Sequence, residues 1–183
     1  MDIVRINLFA VLFSIVLINP VSAENYLLQP GDILSVSVWK EPDLLQTVIV
    51  RPDGKFSFPL TGDMVAAGRS IEDVRKDVAK GIEEFIPDPE VTVQLQQIVG
   101  NRVFVLGKVQ RPGAFLMTQE MDVMQALAEA GGTITFADEA NVSILRRDGD
   151  RQEVIPFSFD EVQYGKNLEQ NILLRPGDII VVP

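Results

Sequence analysis

The chain of 183 residues contains no Cys, no His and a single Trp, and its 16 Lys plus Arg are outnumbered by 26 Asp plus Glu. Without Cys there is no disulfide, no thiolate metal site, no Cys nucleophile and no residue to carry an N-terminal lipid. Without His there is no Ser-His-Asp or Cys-His relay and no imidazole-held zinc. A net charge of −10 argues against a nucleic-acid partner, because phosphate backbones are bound by clustered Lys and Arg. It disfavours anionic lipid head groups on the same ground. What the chain does have is apolar content: 46% hydrophobic residues, ample for a packed core.

The longest apolar stretch lies at the start, in MDIVRINLFAVLFSIVLINPVSA, residues 1–23. Ile6 to Ile18 would make a helix of about 20 Å, short of the roughly 30 Å of hydrocarbon in a bilayer. Pro20 breaks that helix, and Val21-Ser22-Ala23 places small residues where signal peptidase cuts. The expectation is a cleaved secretory signal with Glu24 as the new N-terminus, the alternative being an uncleaved anchor or a buried strand. No later apolar run is long enough to span a bilayer as a helix.

The rest of the chain reads as α+β. In Ile33 to Trp39, Leu34, Val36 and Val38 alternate with Ser35 and Ser37, the period of a half-buried strand. Val48-Ile49-Val50 and Phe56-Ser57-Phe58 flank Arg51-Pro52-Asp53-Gly54-Lys55 and predict a hairpin. Ser70 suits the N-cap of a helix whose apolar stripe is Ile71, Val74, Val78, Ile82 and Phe85, ended by Pro87-Asp88-Pro89. Val91, Val93 and Leu95 then predict another strand. Past residue 100, Arg102 to Val109 and Ala114 to Met117 read as strands around Gln110-Arg111-Pro112-Gly113. Asp122 with Gln125 forms a capping-box pattern, and Gly131-Gly132 suits the helix C-terminus. Asn141 to Arg147 and Gln152 to Phe157 predict a hairpin about Asp148-Gly149-Asp150, and a final strand closes the chain. This order predicts a small domain of strands plus one helix over residues 24–99 and a β-grasp domain over residues 100–183.

One hexapeptide recurs. Leu28-Gln29-Pro30-Gly31-Asp32-Ile33 returns as Leu174-Arg175-Pro176-Gly177-Asp178-Ile179, five identities in six, each copy just before an apolar strand. Pro-Gly makes a tight turn, and Asp can close it with an Asx-type hydrogen bond. The flanking sequences do not align, so the halves are not tandem repeats.

The order of these motifs resembles the polysaccharide export proteins of the outer-membrane auxiliary type. The matching segments are Pro30-Gly31-Asp32, Val38-Trp39, Glu41-Pro42-Asp43-Leu44, Val50-Arg51-Pro52-Asp53-Gly54, Pro59-Leu60-Thr61-Gly62 and Pro87-Asp88-Pro89-Glu90-Val91. They resemble the N-terminal export domain of that family. VFVLGKVQRPGAFLM with Gly107, Pro112 and Gly113, QALAEAGG with Gly131 and Gly132, and LRPGDIIVVP with Pro176, Gly177 and Asp178 resemble its soluble-ligand-binding β-grasp domain. Longer members carry an acylated N-terminal Cys and a C-terminal amphipathic helix that builds an outer-membrane pore. This sequence, with no Cys and with Val182-Pro183 directly after its final strand, resembles the short members. The resemblance implies a periplasmic, outer-membrane-associated protein that is not a lipoprotein. It also implies a homo-oligomeric ring that passes an extracellular or capsular polysaccharide. Partners would be an inner-membrane polysaccharide co-polymerase and a separate outer-membrane pore protein.

No catalytic, cofactor or metal residue stands out, and a non-enzyme is expected. Trp39 could stack on a sugar if exposed, but its place after an alternating strand favours a core or interface role. Asp148-Gly149-Asp150 lacks the spacing of a calcium loop, and Glu83-Glu84 reads as a solvated helix face. Gly131-Gly132 follows a helix, so it is a C-cap and not a phosphate loop. The alternative function is a free-standing glycan-binding module without transport; a polymer-trimming hydrolase comes third. If the acidic surface lines the polymer's path, a neutral polymer fits better than a polyanion.

Overall fold

The computed structural model describes residues 26–183. The expected signal peptide, residues 1–23, therefore lies outside the described residues. Three sheets and three α-helices follow.

The first sheet has three strands in the order β2-β1-β5: β1 (Ile33–Val38), β2 (Glu41–Ile49) and β5 (Val91–Gln97), antiparallel throughout. The alternation in β1 places Leu34, Val36 and Val38 inward. They pack against helix α1 (Ile71–Ile82), where Ser70 accepts the Asp73 amide as N-cap and Val74, Val78 and Ile82 are fully buried. Each such side chain contributes about 2 kcal/mol of burial. Phe85 does not extend the stripe: the helix ends at Ile82, and Phe85 is exposed.

The hairpin expected across Arg51–Lys55 is also revised. The turn itself closes, with Gly54 N donating to Arg51 O and Arg51 N to Lys55 O. The segments on either side, however, belong to different sheets. β2 pairs with β1, whereas β3 (Lys55–Phe58) pairs with β4 (Gly62–Val65) as a separate two-stranded ribbon. The physical reason is the next turn. Pro59 to Thr61 returns the chain onto β3, so β3's hydrogen bonds are met locally.

The second half holds a mixed five-stranded sheet in the order β7-β6-β10-β8-β9. Its strands are β6 (Arg102–Gly107), β7 (Gly113–Leu116), β8 (Val142–Asp148), β9 (Arg151–Phe157) and β10 (Ile179–Val182). The central pair, β6 and β10, is parallel, and every other pair is antiparallel. Helix α2 (Val123–Glu129) packs on one face only, its Val123, Ala126 and Leu127 sharing a core with Val103, Val105, Ile144 and Ile180. A mixed sheet with one helix on one face is the β-grasp arrangement. Asp122 and Gln125 form the reciprocal capping box that the sequence predicts. A short helix, α3 (Phe159–Gln163), lies between β9 and β10 in the chain. Among the described residues no helix is long and apolar enough to cross a membrane.

Candidate functional site

The two Pro-Gly-Asp segments fold into the same corner. In each, the Asp amide donates to the carbonyl three residues earlier: Asp32 to Gln29 at 3.1 Å, Asp178 to Arg175 at 3.0 Å. Pro30 and Pro176 occupy the second turn position. Gly31 (φ +99°) and Gly177 (φ +89°) occupy the third, which demands positive φ, as in a type II turn. Each Asp side chain then reaches back to the amide of the first turn residue, Gln29 at 2.9 Å and Arg175 at 2.8 Å. An Asx turn would point forward, so the bond expected from sequence exists with the opposite sense. Both corners also feed the adjoining strand. Gly31 and Asp32 exchange backbone bonds with Val50 alone, as antiparallel neighbours do. Gly177 and Asp178 bond Arg102 and Phe104, the offset of a parallel pair.

Among the described residues, Asp32 and Asp178 are the only buried charged side chains. They are stabilised differently. Asp178 is held by the Arg146 guanidinium, which donates Nε at 3.0 Å and a terminal nitrogen at 2.6 Å. The same contact raises the Arg146 pKa above its ordinary value. Among the described residues no cation pairs with Asp32. Its carboxylate takes four neutral donors: Tyr26 hydroxyl at 2.6 Å, Gln29 N, and the amides of Val99 at 2.9 Å and Gly100 at 3.0 Å. Burial, with Asp32 beside it, raises the Tyr26 pKa, so that hydroxyl stays protonated and donating.

The remaining motif residues lie at turns and element ends spread over both halves. Around Pro52-Asp53-Gly54, Arg51 donates to Asp53, to Ser57 and to Asp63 at 2.8 Å, tying the turn to the β3–β4 ribbon. Arg51 holds the Asp63 carboxyl down to about 2. Pro59 and Gly62 bracket the β3–β4 connection. Gly107 is required sterically: a Cβ there would lie 1.9 Å from the Val182 carbonyl oxygen. Gly131 and Gly132 both have positive φ and close α2, and Gly132 O accepts from Gln110 N beside the Pro112-Gly113 turn. Asp148-Gly149-Asp150 forms the β8–β9 turn, and Glu83 and Glu84 are exposed.

Trp39 overturns the core reading: it is 69% exposed. The reason is position: β1 ends at Val38, and Trp39 is the first residue of the β1–β2 turn, beyond the alternation that buries Leu34, Val36 and Val38. Its groove is lined by Ser37, Glu41, Leu45, Arg75, Glu90 and Thr92 among others.

Sequence reasoning missed a second surface. On the face of the five-stranded sheet away from α2, one apolar row crosses every strand in register: Ala114, Phe104, Ile179, Leu145 and Val154. Leu106 and Val181 adjoin it. Phe104, Leu106 and Val154 are 39%, 47% and 65% exposed. Odd-numbered apolar residues in β8 and β10 were the available signal, since a sheet covered on one side only should be polar there.

Two family models match the chain. The model for polysaccharide biosynthesis/export proteins covers residues 20–96, and the SLBB domain model covers residues 101–182. The EPS I polysaccharide export outer membrane protein EpsA of Ralstonia solanacearum is 30% identical over 87% of this chain. The polysialic acid transport protein KpsD of Escherichia coli is 27% identical over 86%, and the capsule polysaccharide export protein BexD of Haemophilus influenzae 21% over 82%. The chain spans 48% of the Ralstonia protein, 28% of the E. coli protein and 41% of the Haemophilus protein.

Proposed function

This chain belongs to the polysaccharide export protein family, and from that premise we propose that it is a non-enzymatic component of an extracellular or capsular polysaccharide export system. In this reading it works outside the inner membrane, associated with the outer membrane. It assembles with copies of itself into a ring that guides polymer, between an inner-membrane co-polymerase and a separate outer-membrane pore protein. In this reading segment 24–99 is its export domain and segment 100–183 its soluble-ligand-binding β-grasp domain.

The observation that carries the reading is the apolar row from Ala114 to Val154. A face so uncovered is stable in water only at a cost in apolar exposure, and burial against another copy recovers that energy. Contacts of this kind between unlike surfaces close into rings when the rotation permits. If the acidic surplus of the chain lines the polymer's path, a neutral polymer is accommodated more easily than a polyanion.

Two measurements test the proposal. Light scattering on the chain from Glu24 onward should show a discrete oligomer. A strain lacking the gene should make polymer yet retain it inside the cell. A strict monomer at high concentration, with polymer secretion intact, would support a free-standing glycan-binding module instead. Secreted polymer of altered chain length would support trimming.

A further inference from the structure

We propose that the groove at Trp39 is a contact site for a neutral pyranose segment of the polymer; this rests on the export reading above. Trp39 stands at the tip of the two-residue β1–β2 turn, where Val38 pairs with Glu41. Its backbone amide donates to Glu90 O at 2.9 Å, so the tip is fixed against the start of β5. The neighbouring Lys40 holds φ +66°, a left-handed conformation that costs a residue with a side chain about 1 kcal/mol. A large indole is thus displayed in solvent from a strained, anchored turn.

The surroundings suit a sugar. Ser35, Ser37, Thr47, Thr92 and Gln94 share the outer face of the three-stranded sheet, offering hydroxyl and amide groups without charge. Glu41 and Glu90 line the groove together with Trp39, and among the described residues neither is in an ion pair. A pyranose ring has an apolar C–H face that stacks on an aromatic plane and a rim of hydroxyls that donate to carboxylates. The groove, about 710 Å³, lies within the usual range for a small-ligand site. Arg75 is occupied by Glu72 through two bonds of 2.8 and 2.7 Å, and Lys40 stands against Glu41 and Glu90, so the groove has no surplus cation with which to hold a uronic or pyruvylated polymer. The face therefore divides the molecule's work: hydroxyls, amides and Trp39 on the first sheet meet polymer, and the apolar row on the second meets another copy.

Trp39 is the chain's single Trp, so its fluorescence reports the site directly. The mature chain is titrated with oligosaccharides cut from the strain's own extracellular polysaccharide, with maltoheptaose, and with polygalacturonate. The expected result is a saturable emission shift and shielding from acrylamide with neutral oligosaccharide, and none with polygalacturonate. By calorimetry, Trp39→Ala weakens that binding about tenfold, the loss of one stacked contact, while Trp39→Phe retains part of it. Unchanged binding by Trp39→Ala overturns the proposal, as does emission that ignores every neutral probe. Emission that shifts with protein concentration alone also overturns it, assigning the groove to contact between copies. Complementation separates this site from the export reading. Full secretion with Trp39→Ala at normal protein level removes the site and leaves export standing. Secretion unaffected by deleting the gene removes export, and the titration still decides the groove.

Discussion

The Asp32 carboxylate receives the backbone amide of Gly100 at 3.0 Å across 68 residues of chain. That bond and its companion from Val99 pin the start of the second unit to the first turn of the first. Gly100 is there because nothing larger fits: a Cβ would lie 2.3 Å from the Pro30 carbonyl oxygen.

Replacing Asp32 is therefore expected to cost about 2–4 kcal/mol, the penalty for stranding several buried donors. Asn should fare little better than Ala. Each carboxylate oxygen takes two donors, so either orientation of an amide sets its NH2 against an N–H. Urea unfolding of Asp32→Ala and Asp32→Asn, with limited proteolysis at residues 97–101, measures both effects. A loss under 1 kcal/mol with an uncut linker would contradict the account.

Arg146 and Asp178 form the only ion pair among the described residues in which both side chains are largely shielded, at 11% and 1% exposure. Arg146→Met leaves a buried carboxylate with one amide donor, and the expected loss is about 3–5 kcal/mol. The double variant Arg146→Met/Asp178→Asn should recover part of this. A thermodynamic cycle in urea that shows additive losses would refute the coupling.

Acid sensitivity should be confined to low pH. Hydrogen bonds from Arg51 lower the Asp63 pKa from 3.8 to about 2, and those from Arg75 lower Glu72 from 4.5 to about 2. A carboxylate depressed by folding adds stability above its unfolded pKa and loses that contribution as pH falls through its folded one. The melting temperature should fall between about pH 4.5 and pH 2 and stay level from pH 6 to 8, where a chain without His or Cys has no side chain of ordinary pKa to titrate. Both carboxylates are exposed, so the acid limb is shallow and is reduced by salt. Asp63→Asn should flatten it; an unchanged limb would exclude this origin.

The apolar row can be tested without disturbing the core. Val154 lies on edge strand β9 and Leu106 at the end of β6, both well exposed. Val154→Glu and Leu106→Glu should leave the melting temperature within about 2–4 °C of the parent, the scale of a surface substitution. They should abolish self-association in light scattering. A variant that still forms the parent oligomer would place the interface elsewhere.

Much of the fold was legible in sequence because it follows from local rules. The period-2 pattern of β1, the Ser70 cap, the Asp122–Gln125 box and the Gly149 turn each depend on neighbours a few residues away. The repeated Pro-Gly-Asp was visible too, and its meaning as a strand-feeding corner followed from turn chemistry. The hairpin across Arg51–Lys55 was misread because turn residues specify a reversal but not which sheet takes each arm. A core place for Trp39 was wrong because the strand's alternation stops at Val38, one residue before it.

The sequence by itself determined where the chain turns, which residues are apolar and that no His or Cys chemistry is possible. Only the tertiary structure decided what those residues meet. It gave one Pro-Gly-Asp carboxylate an arginine and the other four neutral donors from segments as far as residue 100. It also left Phe104, Ile179 and Leu145 in one uncovered row, by pairing strands from both ends of the second half. Such contacts depend on register between distant strands, and local propensity carries no information about register.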